Sequence, residues 1–591
     1  MKNVIFRTAV VCCAFVFGGT SVFCQGSDAI RINQIGFYPG MSKIAVVRTA
    51  SAGKFFVVSA ANSDTVFHGM LTAPQVWPCA RETVCVADFT TFRKSGEYRL
   101  IVPGIGATAP FEIKEHVHAA LAAGALKSYY YQRASIPLLP KYAGPWARAE
   151  GHPDTAVLVH ASAASAQRPA GTKISSPGGW YDAGDYNKYI VNSGISTYTL
   201  LAAYEWYPEY CKQLSIGIPE TGNGIPDLIN ESLWNVRWML TMQDPTDGGV
   251  YSKCTDTTFD DFEMPWKDTL PRYVVMKTTA AALDFAAVMA QTARITAALP
   301  ASYRGLSDSC KQAAIDAWIW ARRNPSVYYN QPAMNDRFSP KIVTGAYADD
   351  NVSDEFAWAA AELFVTTRQD SFLTAANPLS APRAVLPQWA SVRTLGLFTL
   401  AKYSDLAAAA IDTAAVRSRI LQLADSLRTL MNASAYRVVM GNDIHDFLWG
   451  SNGVAANQAF TLVIAYKLTG DRSYLNAALG NLDYLLGRNG TMYSFVTGFG
   501  SRPPMHIHHR LSGADGVTAP VPGLLAGGPN PDMQDHAPTY PSTLPALAYS
   551  DDQRSYASNE IAINWNAALV FVTIGIDADA SSGNLMEPGK K

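Results

Sequence analysis

Charge is sparse in this sequence. Of 591 residues 16% are charged, and 47 Lys plus Arg against 49 Asp plus Glu leave a net charge of −2. Such a chain lacks the basic surface that a phosphate backbone needs, which excludes nucleic acid as the main partner. Cysteine is also scarce: Cys12, Cys13, Cys24, Cys79, Cys85, Cys211, Cys254 and Cys310, with no CxxC pair. A structural zinc ribbon therefore has no support. There is no G-x-S-x-G nucleophile elbow, no Walker loop and no dinucleotide fingerprint, which removes serine hydrolases and nucleotide enzymes. Beyond the N-terminal segment no run reaches the roughly 18 apolar residues of a membrane span.

What the chain has is apolar mass and aromatic rings. At 48% hydrophobic it can bury a large core, which excludes disorder as its main state. Its 13 Trp and 28 Tyr carry flat faces with polar edges, which suit sugar rings as well as a core. Lys2 and Arg7 precede an apolar run over 9–17, small residues follow, and Phe23-Cys24-Gln25 closes the segment. This layout predicts a signal peptide over residues 1–24, cleaved after Cys24, and so a secreted or periplasmic protein. Lipidation of Cys24 is the weaker alternative, because bulky Phe23 precedes it. Of the five remaining cysteines, Cys79 and Cys85 flank a short stretch and are the pair placed to close a disulfide in an oxidising compartment.

Two textures divide the rest. Residues 27–114 hold about seven short β-branched or alternating runs (30–33, 45–49, 55–58, 65–68, 84–89, 98–102 and 111–113) separated by turn residues, which predicts a small β-sandwich. From 115 to 580 Ala-rich helical periodicity takes over. Eleven helices are expected, at 118–132, 190–206, 226–243, 275–299, 307–323, 353–368, 389–403, 413–431, 454–469, 473–487 and 559–575, and 371–376 could begin a twelfth. FVTTRQDSFLTAA at 364–376 and LTGDRSYLNAA at 468–478 each end one helix, turn at an Asp and start another, the mark of a helical array or closed toroid. Long loops at 133–189, 247–274, 324–352, 433–453 and 491–558 are where chemistry is expected.

Three constellations stand out. In GGWYDAGDYNKY, residues 178–189, Asp182 and Asp185 lie three apart among aromatics, with Gly184 expected to permit a tight turn that aims both at one point. A carboxylate pair that holds a water suits a general base, although a turn that starts the next helix would look similar. In YSDDQRSYASNEIAINWNAA, from Tyr549, Glu560 is expected in the first turn of an apolar helix. There it either favours the helix dipole or, backed by Tyr556 and Trp565, acts as a proton donor with a raised pKa. In MHIHHR, residues 505–510, three His raise a metal site, yet no second ligand cluster accompanies them except His536, and Arg510 would repel a cation. A neutral His and an Arg suit hydroxyls and carboxylates equally well.

Those blocks, in that order, resemble glycoside hydrolase family 9, the inverting cellulases. SFVTGFGSRPPMHIHHR at 494–510 is similar to the family's histidine motif, the stretch 549–567 to its acidic motif, and GGWYDAGDYNKY to its base loop. The opening IRINQIGF at 30–37 resembles the start of the immunoglobulin-like module that one branch carries. The resemblance spans about 27–580 and implies an Ig-like sandwich followed by an (α/α)6 barrel. It also implies Asp185 as catalytic base with Asp182 helping to hold the water, Glu560 as general acid, His508 and Arg510 as sugar contacts, and Tyr556 and Trp449 as aromatic platforms. The implied activity is an endo-β-1,4-glucanase (cellulase) that needs no cofactor for its chemistry and takes a β-glucan as partner. Exo-acting relatives, a β-glucosidase or glucosaminidase among them, xyloglucan or mixed-linkage glucanases and a silent sugar-binding protein remain as alternatives. No cellulose-binding module or dockerin repeat is seen in the sequence.

Two departures from the family matter. Relatives often hold zinc through Cys and His before the base loop, whereas Arg133-Ala134-Ser135 stands where a cysteine is expected and only His152 and His160 remain, so that site is expected to be lost. The family's calcium site uses acids at a helix start like Ser353-Asp354-Glu355; Asp354 and Glu355 are present, with Asp349 and Asp350 just before, although acids are also ordinary in a first helical turn.

Overall fold

A computed structural model describes residues 27–581. The expected signal peptide, with Cys12, Cys13 and Cys24, lies outside the described residues. An N-terminal sheet-rich, immunoglobulin-like domain precedes a helical domain. The first contains β1 (Ile30–Arg31), β2 (Gly36–Phe37), β3 (Ile44–Arg48), β4 (Lys54–Ser59), β5 (Thr65–Met70), β6 (Gln75–Trp77), β7 (Glu82–Asp88), β8 (Gly96–Val102), β9 (Gly106–Ala107) and β10 (Phe111–Ile113). One sheet runs β1-β3-β7-β6 and the other β2-β10-β8-β4-β5, with β9 on β8.

Period-two alternation sends β3 and β7 to two different cores. Ala45, Val47, Cys85 and Ala87 face the sandwich interior, where they meet Phe37, Phe55 and Leu100. Val46 and Val84 face the helical domain and share its core with Trp77 and Cys79. Trp77 stacks on Tyr436 at 3.9 Å between centroids. The Cys79–Cys85 disulfide that the spacing allowed is not formed, and all five cysteines of the described residues are free and buried. The Cys79 thiol reaches Gly441 O at 3.3 Å, while Cys85 points the other way, to Thr49 O at 3.6 Å. The turn after β6 puts the two on opposite faces of one sheet.

The helical domain is built on α1 (Ala119–Gln132), α2 (Ile190–Trp206), α3 (Asp227–Thr241), α4 (Thr279–Ala297), α5 (Arg304–Arg323), α6 (Ser353–Thr367), α7 (Ser371–Ala375), α8 (Arg393–Lys402), α9 (Thr413–Ala433), α10 (Ser451–Thr469), α11 (Arg472–Leu485) and α12 (Ile563–Ser581). Composition sorts them into two layers. Along α4 every residue from Thr279 to Ala293 is buried, and along α10 every residue from Ser451 to Ala465. By contrast α9 buries only Val416, Ile420, Ala424 and Leu427, a single stripe. The fully buried helices pack in succession, α12 on α2, α2 on α4, α4 on α6 and α6 on α8. Phe398–Phe460 (5.1 Å) and Phe460–Phe571 (4.1 Å) carry the circuit through α10 back to α12. The amphipathic helices lie outside, among them α1 on α12, α3 on α2, α5 on α4 and α11 on α10. Among the described residues no helix is long and apolar enough to cross a membrane.

At one end the long loops form a small sheet: β11 (Val157–Val159), β12 (Lys173–Ile174), β13 (Lys188–Tyr189), β14 (Lys253–Thr255) and β15 (Tyr273–Val274), in the order β12-β11-β15-β14-β13. It braces the loop that carries Asp182 and Asp185.

Candidate active site

The base loop enters through Gly178 and Gly179, both left-handed (φ 83° and 78°). Trp180 is then buried with its indole N–H on Glu231 (2.9 Å), and the chain turns so that Asp182 and Asp185 face inward, 2% and 5% exposed. Neither carboxylate caps a helix, since α2 begins at Tyr189 without a side-chain cap. Asp182 accepts from Asn192 Nδ2 at 2.7 Å and from the Tyr347 hydroxyl at 2.6 Å. Asp185 accepts from Asn187 Nδ2 at 2.5 Å and the Tyr189 hydroxyl at 3.0 Å, both on Oδ2. Among the described residues nothing bonds to Oδ1. Burial, and then the Asp185 carboxylate, push the Asp182 carboxyl up to about 8.

Gly184 lies in the bend between the two acids, outside the left-handed region. Its requirement is space: a Cβ there would lie 2.3 Å from His508 O and 3.2 Å from Glu560 Oε1. Gly184→Ala should therefore pry the base loop from the acid. We expect kcat to fall by about 10–100-fold through misalignment, with a stability loss of about 1–3 kcal/mol, read by steady-state kinetics and thermal melting.

Glu560 sits in extended backbone (φ −70°, ψ 160°) between a one-turn helix and α12, not in the first helical turn that the sequence implied. The dipole argument thus falls away. Its backbone pairs with His508, and its O accepts from Gly527 N at 2.8 Å. Oε1 lies 3.4 Å from Gly184 N. Burial first, and then Asp185, push its carboxyl up to about 8, against the pull of Arg510. At neutral pH it holds a proton.

The three histidines of the motif do not converge. The His506 backbone N–H donates to Asp551 (2.8 Å), and the His509 ring turns inward to Gln132 Oε1 (2.9 Å) and Ser512. His508 faces the cleft; its Nδ1–H donates to Gln553 O at 2.7 Å, which leaves Nε2 as an acceptor. Burial lowers its pKa, so the ring is neutral. Asp551 explains why the two C-terminal motifs work together: it also takes Met505 N and Asn559 Nδ2. Arg510 uses Nε on Asp260 O (2.7 Å) and Nη1 on Gly184 O (2.9 Å), so it clasps the base loop from the far side. Tyr556 lies tilted over Trp449 at 5.4 Å and meets His508 edge-on at 5.8 Å. With Trp449 40% exposed, the three rings form a wall open to solvent.

The structure thus gathers Asp182, Asp185, Glu560, His508, Arg510, Tyr556 and Trp449 around one cleft. It adds residues that sequence reasoning missed. Tyr347 and Asn192 hold Asp182; Phe262 packs edge-on to His508 at 5.2 Å, and Phe259 and Phe262 flank Arg510. The only available signal was that these residues lie in, or next to, the aromatic-rich long loops.

Asp354 and Glu355 lie elsewhere, at the start of α6, beside Asp349 and Asp284 of α4. Both oxygens of Asp284 and of Glu355, with Asp349 Oδ2 and Asp354 Oδ1, are buried with no hydrogen-bond partner. Burial, and then the repulsion of neighbouring carboxylates, hold Asp284 and Glu355 well above the usual carboxylate range. An all-oxygen set of this kind fits calcium. Zinc does not fit the residues before the base loop. Ala134 and Tyr181 pack together, and His152 has Nδ1 on the Tyr181 hydroxyl and Nε2 on Asp268, both 2.8 Å. His160 is separate, bound to Ser162 and Pro340 O. His152, Asp256 and Asp268 do approach within 4.8 Å of one another, but Arg272, on Asp256 at 2.7 Å and Asp154 at 3.2 Å, already supplies the cation.

The family model described as glycosyl hydrolase family 9 matches residues 118–573, and that of the cellulase N-terminal ig-like domain matches 25–107. The chain is 44% identical over 574 residues to the xyloglucan-specific endo-beta-1,4-glucanase BoGH9A of Bacteroides ovatus, covering 95% of this chain and 97% of that one. It is 33% identical over 560 residues to endoglucanase D of Acetivibrio thermocellus, covering 93% and 84%. Among solved structures, Bacteroides ovatus GH9 superposes with a TM-score of 0.88 at 42% identity over 94% of this chain and 99% of that one.

Proposed function

Because the chain belongs to glycosyl hydrolase family 9, it is a glycoside hydrolase, and we propose that it is an endo-β-1,4-glucanase that cuts internal bonds of a β-glucan with inversion. The observation that carries this reading is the pairing across Gly184 of a protonated carboxyl, Glu560, with an Asp185 whose Oδ2 is held by two donors and whose Oδ1 is free for water. A sugar stacks on Tyr556 and Trp449 and gives a hydroxyl hydrogen to His508 Nε2. Glu560 donates its proton to the glycosidic oxygen. Asp185 takes a proton from a water on the opposite ring face, which Asp182 helps to hold, and that water's oxygen becomes bonded to the anomeric carbon. Six buried helices ringed by amphipathic ones support the reading of the helical domain as an (α/α)6 barrel. The charged start and apolar run of residues 1–24 support export.

The 44%-identical relative makes xyloglucan the first substrate to test, beside carboxymethyl-cellulose and mixed-linkage glucan. Viscosity is followed alongside reducing ends, and the fresh anomer by NMR. A fast viscosity drop and an α-product are expected. One small product with slow thinning would replace endo by exo action, a β-product would remove inversion, and no release from any β-glucan would sink the substrate class.

We also propose that Asp284, Asp349, Asp354 and Glu355 hold a structural calcium, which supplies positive charge and ties α4 to α6. Added calcium should raise the melting temperature of chelator-treated protein, with about 2.7 kcal/mol of stabilisation at a hundred times Kd. Asp284→Asn should blunt that response; equal melting with and without calcium would refute the site.

A further inference from the structure

Behind the base lies a lysine with an unusual environment. Lys253 of β14 is 1% exposed. Lys188 on the adjacent strand β13, which pairs with Cys254, shows the ordinary solution for a buried ammonium, a carboxylate at 2.6 Å (Asp154). Lys253 has no carboxylate within ion-pair distance among the described residues. Its Nζ donates to three neutral acceptors: Gln331 Oε1 (2.8 Å), Thr344 Oγ1 (2.9 Å) and Gly345 O (2.5 Å). The rings of Tyr189 and Tyr329 cover it at 5.5 and 5.3 Å. A buried cation held this way is costly unless something else uses its charge.

Two short chains of bonds run from this ammonium to the base. In one, Lys253 holds Gly345 O, Gly345 N–H donates to the Tyr189 oxygen (3.0 Å), and the Tyr189 hydroxyl donates to Asp185 Oδ2. In the other, Lys253 holds Thr344, whose hydroxyl lies 2.6 Å from that of Thr255; Thr255 donates to Asn187 Oδ1 (2.7 Å), and Asn187 donates to Asp185 Oδ2. Both chains end on the same oxygen, and both pass through the turn at 344–345 that Lys253 grips.

We propose that Lys253 is a positioning residue for the catalytic base: it locks the 344–345 turn so that Tyr189 and Asn187 fix Asp185, and it places a positive charge behind that carboxylate. The inference rests on the assignment of Asp185 as base. The other groups that face Asp185 are Asp182 from its own loop, Glu560 and His508 from the C-terminal motifs, and the phenols of Tyr189 and Tyr347; Arg510 lies beside Glu560. Lys253 is the ammonium that faces Asp185 from the protein side. Burial pulls the ammonium down to about 7, and Asp185 is the charge that pushes it back up.

The test is Lys253→Met in the full chain, assayed on xyloglucan across pH, with thermal melting as the folding control. The expected result is a kcat loss of about 10–100-fold, KM within about threefold, and an acid limb of the pH profile moved up by about one pH unit. In an Asp185→Ala background the same substitution should cost nothing further, because its target is gone. A kcat loss with an unmoved acid limb, or an equal loss in the Asp185→Ala background, would overturn the proposal in favour of a purely structural lysine. If Lys253→Met does not fold, Lys253→Gln keeps hydrogen bonding without the charge and must move the acid limb in the same direction; no movement overturns the proposal. Full activity in Asp185→Ala alone would instead remove the base assignment.

Discussion

Glu560→Gln should lower kcat on a β-glucan substrate by about 10²–10⁴-fold, about 3–5 kcal/mol of barrier, with KM little changed. Gln fills the same volume and accepts the same bond from Gly184 N, so binding survives while the transferable proton is lost. The loss must depend on the leaving group. An aryl cellobioside with a strongly acidic phenol departs without protonation, so on it the variant should approach the parent rate. The pH profile carries a second signature. The active form of Glu560 is the protonated one, and its carboxyl is pushed up to about 8, so the parent rate should hold through neutrality and fall as pH rises through about 8. The variant should lose that basic limb. A variant equally slow on both substrates, with the limb intact, would show that Glu560 is not the acid.

Asp185→Ala should cost a similar factor for the opposite reason. Water stays a poor nucleophile without a base, whereas the leaving group is still protonated by Glu560. The truncated side chain leaves room where Oδ1 stood, between Asp182 and the cleft. Azide needs no deprotonation and should restore turnover with an α-glycosyl azide as product. If azide gives no rescue, or the azide product is β, Asp185 does not act on the face assigned to it.

Much of this site was legible in the chain because its parts are contiguous. GGWYDAGDYNKY holds both acids and two of their donors, Asn187 and Tyr189, and the histidine and acidic motifs each carry their own cleft residues. The helices were legible from their apolar periodicity, within a few residues at most ends. Glu560 was misplaced because Ile561 and Ala562 extend the apolar pattern of α12 backwards, yet Ile561 bridges to Ala526 instead of joining the helix. For Tyr347, Lys253 and Phe262 the sequence marked no more than a place in the long loops, since what each touches is decided by tertiary packing; Tyr347 meets Asp182 across 165 residues. The Cys79–Cys85 pair shows the same limit from the other side. Six positions apart is close in sequence, but Cys79 sits in the turn after β6 and Cys85 on β7, and the two thiols enter different cores.

The closure of the helical ring has a consequence for timing. The packing of α12 against α2 joins segments more than 350 residues apart in sequence, and Glu560, the last catalytic group along the chain, is placed just before α12. A chain emerging vectorially can form the sandwich and the outer hairpins early, through local contacts. It cannot assemble acid opposite base until the final helix arrives and the circle shuts. Hydrolytic competence is thus a property of the finished chain.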